Sequence, residues 1–216
     1  MDLRQIVADM IFEREALKFG AFRLKLHEKF PDAPLSPFYL NLRSADNPKP
    51  GPLTMEDYDL IADCLIDVVI DEGLPFEAIA GIPRAGDPIA EAINRKRPGD
   101  FRLIKLDKEE AGGQRRIIPK VGFNYQEGEI VLLFDDLVTK ADTKVEAIQA
   151  IEKGGSMVRD LVVLVDREQG GKEQLRQAGY DLYSAFTMSW LLNYYAESGK
   201  ITGQKHDECL AYMASV

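Results

Sequence analysis

Cysteine is scarce in this 216-residue chain: Cys64 and Cys209 are the only two, each inside a helix-like stretch and neither at a ligand-pair spacing. That excludes a disulfide framework and a structural zinc site, and core packing is the ordinary place for both thiols. No apolar run approaches the roughly 18 residues that a membrane span needs, and the opening MDLRQIVADMIFERE is too acidic and interrupted for a secretion signal. No membrane partner is expected, and the cytoplasm is the expected compartment. Positive charge is short as well, with a formal net charge of −9 and no basic segment that overrides it, so nucleic acid is not an expected partner. Internal repeats and low-complexity stretches are absent.

What remains has the proportions of an ordinary globular protein, and the length suffices for one sizeable core. Leu3, Ile6, Val7, Met10, Ile11 and Leu17 recur at helical spacing, predicting a helix over 3–19. A strand at 20–25, a proline-rich loop and a second strand at 38–43 complete a small N-terminal lobe over 1–45. After a turn-rich connector, Thr54 and Asp57 mark a helix start. From residue 76 short β-branched runs alternate with helix-sized polar segments, which predicts an α/β fold with a mainly parallel central sheet covered on both faces. The expected organisation is one domain, with the α/β core at 55–203 and a tail at 204–216.

In such sheets ligands lie beyond the carboxyl ends of the strands, here after Ile82, Leu106, Phe134 and Val165. A negative chain that handles an anion must gather its cations locally, which directs attention to Lys25, Arg43, Arg84, Lys105, Lys108, Arg115, Arg116 and Arg167. The stretch LLFDDLVTKADTKVEA, residues 132–147, ends an oily strand on Asp135 and Asp136 and then enters a helix. Two carboxylates can accept the vicinal hydroxyls of a ribose, while the helix start offers N–H groups to a 5′-phosphate. The same pattern also suits a turn followed by a cap.

This pattern resembles the type I phosphoribosyltransferases, and the rest of the chain narrows the resemblance. GAFRLKLHEKFPDAPLSPFYLNLR is similar to the N-terminal lobe of orotate phosphoribosyltransferases, AGIPRAGDPIAEAI to their pyrophosphate loop, and LVVLVDREQGGKEQL to a strand ending in Asp-Arg. SAFTMSWLLNYYAESGKIT is similar to their last strand and helix, so the resemblance runs in order over about 15–203. It implies the type I phosphoribosyltransferase fold, magnesium as cofactor and a homodimer. It also implies transfer of a phosphoribosyl group from phosphoribosyl pyrophosphate to orotate, giving orotidine 5′-phosphate.

By the same resemblance, Lys25, Arg84, Gly86, Asp135, Asp136, Thr139, Lys140, Ala141, Asp142 and Thr143 hold phosphoribosyl pyrophosphate. Phe38, Tyr39 and Arg167 hold the base, and Asp135, Asp136, Lys108, Arg115 and Arg116 serve catalysis. No direct protein ligand to the metal is identified. Plainer roles compete at each position: Phe38 and Tyr39 as core aromatics, Arg167 as a helix cap, Gly81 and Gly86 in a tight turn, Arg115 and Arg116 as surface charge.

Two departures favour an alternative, a catalytically weakened nucleotide-binding regulator or partner subunit; a transferase for another base is a further option. Where the family has small residues with glycine after the Thr, this chain has Lys140, Ala141 and Asp142, and a carboxylate at a helix start can satisfy the orphan N–H groups itself. TKVE at 143–146 also fits a capping box. In the mobile loop KLDKEEAGGQRRIIPK, Asp107 replaces the family's arginine, and the later lysine and histidine have no counterpart.

Overall fold

A five-stranded, wholly parallel sheet lies between two helical layers. A computed structural model describes residues 2–28, 30–111, 114–120, 122 and 125–215, and only the backbone of 25, 26, 110, 111, 114 and 115. The sheet runs in the order β4 (Arg102–Ile104), β3 (Ala78–Gly81), β7 (Ile130–Val138), β8 (Met157–Asp166), β9 (Asp181–Thr187), with every neighbouring pair parallel. Along β7, Leu132 and Phe134 join one buried cluster while Val131 and Leu133 join the other, on the opposite face. Burial on both faces is why these strands read as unbroken apolar runs.

One layer is built from α1 (Leu3–Glu13), α2 (Met55–Asp71), α3 (Asp87–Lys96) and α6 (Met188–Glu197); the other from α4 (Asp142–Glu152) and α5 (Gly171–Gln177). The capping box expected at Thr54 is present: the Asp57 N–H donates to Thr54 Oγ1 at 3.3 Å, and the Thr54 N–H to Asp57 Oδ2 at 2.8 Å. Asp57 also pairs with Arg14 Nε at 2.9 Å, tying α2 to the end of α1.

Several boundaries differ from the sequence expectation. The first helix stops at Glu13, because Glu15 takes the left-handed φ of 52°, and Leu17 belongs to β1 (Leu17–Phe22) rather than to the helix. Antiparallel β1 and β2 (Ser36–Leu40) form the small lobe, so Lys25 lies in a 3-10 turn, Lys25–Glu28, and not on a strand. The segment treated as a loop after Leu106 is a hairpin of β5 (Leu106–Ala111) and β6 (Gln114–Pro119). The expected tail is α7 (Gly203–Met213), capped by Thr202, whose Oγ1 accepts from the Lys205 N–H at 3.2 Å. Among the described residues, no helix is long and apolar enough to cross a membrane.

Candidate active site

The strand order reverses between β3 and β7: β4 lies outward on one side and β8 and β9 on the other. At such a switch point the loops diverge and leave a crevice beyond the strand ends. Gly81 of β3 pairs with Phe134 of β7, so the turn after Ile82 and the pair Asp135–Asp136 flank that crevice. Here lies a cavity of about 630 Å³ lined by Arg43, Asn47, Pro48, Lys49, Pro83, Arg84, Ala85, Lys108, Asp135, Asp136, Leu137, Thr143 and Lys144. Five cations thus meet two carboxylates inside a chain whose net charge is −9.

Strand alternation sends the adjacent carboxylates to opposite faces of the sheet. Asp135 turns to the α4 side, where Lys144 Nζ donates to its Oδ2 at 2.7 Å and to the Leu137 carbonyl at 2.7 Å. Asp136 turns toward α2 and the small lobe, within electrostatic reach of Arg43. Both carboxylates are 5% exposed. Burial first and Asp135 second push the Asp136 carboxyl up to about 7, against the opposing pull of Lys144. Lys108, carried into the cavity by the hairpin, has its ammonium pKa lowered, chiefly by burial.

Asp142 does not cap α4. It is the exposed first residue of the helix, the N-cap is Ala141, and no side chain bonds the first turn, so neither the acid nor the 143–146 box occupies the helix start as the sequence suggested. The reason lies in the backbone: Ala141 is already helical at φ −84° and ψ −13°, which starts the helix one residue too early for a box based on Thr143. The Ala141 N–H is taken instead by Gln174 Oε1 of α5 at 2.9 Å. Lys140 points away from Asp142 and donates to the Gln169 carbonyl at 2.7 Å.

Of the residues singled out from sequence, Arg84, Lys108, Asp135, Asp136 and Thr143 line the cavity together; Thr139, Lys140, Ala141 and Asp142 do not. Gly86 does not line it either, and its lack of a side chain serves packing: a Cβ there would lie 2.3 Å from the Phe134 carbonyl oxygen. Gly81 is pressed in the same way against Gly86, so the tight-turn reading of both glycines holds. Arg116 is exposed on β6 opposite Glu109 and away from the cavity. The side chains of Lys25 and Arg115 lie outside the described residues.

Phe38, Tyr39 and Arg167 form a second locus. Phe38 is buried, Tyr39 is exposed at the surface of β2, and the Arg167 guanidinium lies over the Phe38 ring at 5.7 Å. Burial lowers the Arg167 pKa, and its Nε is buried with no hydrogen-bond partner among the described residues.

Sequence reasoning missed Lys144. Its signal was present: a lysine in the first turn of a helix opposes the macrodipole, and its position just beyond the acidic strand end supplies the compensation.

No family model matches the chain. It is 31% identical over 185 residues to the orotate phosphoribosyltransferase of Methanopyrus kandleri, covering 85% of this chain and 89% of that one. Leishmania donovani UMP synthase matches with a TM-score of 0.75 and 30% identity over 98% of this chain, which spans 42% of that protein. The orotate phosphoribosyltransferase of Aeropyrum pernix shares the fold with a TM-score of 0.68 over 91% of this chain and 99% of its own, at 22% identity. Sequence likeness along most of both chains, together with the parallel sheet and its switch-point cavity, makes this chain a member of the orotate phosphoribosyltransferase family.

Proposed function

We propose that the chain transfers the 5-phosphoribosyl group of phosphoribosyl pyrophosphate to a ring nitrogen of orotate, giving orotidine 5′-phosphate and pyrophosphate. The observation that carries this reading is the meeting of five cations and the acidic pair in one switch-point cavity. Asp135 and Asp136 would accept the ribose hydroxyls, and the uncapped first turn of α4 would take the 5′-phosphate. Arg84 and Lys108 would face the diphosphate. The nitrogen forms its bond to the anomeric carbon as the carbon–oxygen bond to pyrophosphate breaks, and the leaving oxygen keeps the electron pair. Positive charge develops on the sugar, so positioning and charge control do the work. The buried, unpaired guanidinium of Arg167 beside Phe38 suits a planar base that carries a carboxylate.

Magnesium finds no cage of protein ligands. Among the described residues, no three His, Cys, Asp or Glu side chains gather at one point, and Asp135 is already matched by Lys144. The ion would arrive on the phosphate oxygens of the donor. The homodimer is proposed on the family resemblance, although the hairpin lies against its own α4: the Ile117 N–H donates to Glu146 Oε1 at 2.7 Å, and Lys108 lines its own chain's cavity. With α4 uncapped, the alternative of a weakened nucleotide-binding protein loses its principal support.

Purified chain with magnesium and donor should release pyrophosphate only when orotate is supplied. Release that does not depend on any base, or none at all, would overturn the reading.

A further inference from the structure

Helix α7 stands apart from the cavity of the acidic pair, yet it carries a buried polar atom that nothing in the fold satisfies. Tyr212 is 6% exposed, and its hydroxyl has no hydrogen-bond partner among the described residues. Arg167 Nε is in the same condition. The two converge on one ring: Tyr212 packs edge-on to Phe38 with centroids 6.0 Å apart at 89°, and the Arg167 guanidinium lies 5.7 Å from the centre of that ring. A buried hydroxyl without a partner is a cost to folding, and two such groups around one aromatic ring are accounted for if a ligand supplies what both lack.

The chemistry of the missing partner can be read from the pair. A guanidinium only donates, and a phenol hydroxyl can donate in the same direction, so the complement is a group with several acceptor lone pairs on one planar end. A carboxylate has that form, and Phe38 gives an apolar surface to the planar body attached to it. Charge supports the grouping, since Tyr212 acts electrostatically on Arg167.

Resting on the function proposed above, we propose that Tyr212 determines acceptor specificity: its hydroxyl donates to the carboxylate of the base that Arg167 pairs with, and α7 thereby completes the acceptor subsite. A base without the carboxylate would leave both groups buried and unpaired, which is how a site built on hydrogen bonds rejects a ligand that lacks the matching group. The stacking surface alone could not make that distinction.

The test compares binding of orotidine 5′-phosphate and uridine 5′-phosphate, which differ by the carboxylate, to the full chain and to Tyr212→Phe by calorimetry. The variant should bind the carboxylated nucleotide about tenfold more weakly, as expected for one hydrogen bond to a charged group, and the other nucleotide equally well. Its ligand-free melting temperature should not fall, because the deleted oxygen has no partner in the fold. Equal weakening toward both nucleotides, no weakening toward either, or a lower melting temperature would show a structural hydroxyl and overturn the inference. If the wild-type chain itself binds the two nucleotides equally, the acidic-base reading fails and takes this inference with it; wild-type discrimination that survives in Tyr212→Phe removes this inference alone.

Discussion

Lys144 Nζ lies 2.7 Å from Asp135 Oδ2, in an ion pair whose side chains are 7% and 6% exposed. Nine residues of chain separate them, and the strand-to-helix turn brings them together at the base of the cavity. Removing one member of a buried pair leaves an uncompensated charge, which typically costs about 3–5 kcal/mol, whereas removing both costs far less. Lys144→Met should therefore destabilise the chain by about that amount in urea unfolding, and Lys144→Met with Asp135→Asn should recover most of the loss. Equal destabilisation in the single and double variants would mean that the contact carries no such energy.

Asp142 poses a different electrostatic question, because its carboxylate is exposed at the start of a helix that it does not cap. It repels an incoming phosphate from a solvated position, so the effect is small and screened by salt. Asp142→Asn should tighten binding of ribose 5-phosphate by less than about tenfold at low salt, with the gain shrinking at high salt. A larger gain that persists in high salt would mean that the carboxylate sits inside the phosphate site.

The parallel sheet, the acidic strand end and the Thr54 helix start were legible because each rests on a local signal: unbroken β-branched runs, adjacent carboxylates, and a Thr three residues before an Asp. The capping role of Asp142 was misjudged because sequence shows which residue could cap and not the dihedral angles of the residue before it; Ala141 is already helical. Lys144 and Tyr212 stayed hidden for another reason. Their partners, Asp135 and the Phe38–Arg167 locus, are reached only through tertiary packing. Apolar spacing at Cys209, Tyr212 and Met213 after the Thr202 cap does mark α7 as a helix. It could not reveal that the hydroxyl of that helix lacks a partner.

Gly86 separates two accounts of one residue. A methyl group there would lie 2.3 Å from the Phe134 carbonyl oxygen and 2.6 Å from the Ile82 nitrogen, and both obstacles are backbone. Gly86→Ala must displace β7 or the β3–α3 turn, an overpacking expected to cost about 1–3 kcal/mol. Loss of thermal stability should be measurable without any ligand present. A variant of wild-type stability whose only defect is donor affinity would return Gly86 to the role in donor binding that the family resemblance implied.

Asp136 makes the site sensitive to pH in two opposite senses. Its carboxyl is pushed up to about 7 in the fold from an ordinary value of 3.8, so between those limits the folded chain holds a proton that the unfolded chain releases. The stability this contributes is complete below about 4 and is lost as pH rises through about 7. Donor binding should run the other way, since an ionised carboxylate offers the ribose hydroxyls more acceptor lone pairs than a protonated one. Melting temperature of the ligand-free chain and calorimetric affinity for ribose 5-phosphate, each followed from pH about 5 to about 8, should move in opposite directions through that range. Asp136→Asn cannot titrate and should flatten this part of both profiles; an affinity profile that keeps its slope in the variant would assign the pH dependence to another group, the second ionisation of the phosphate being the first to check.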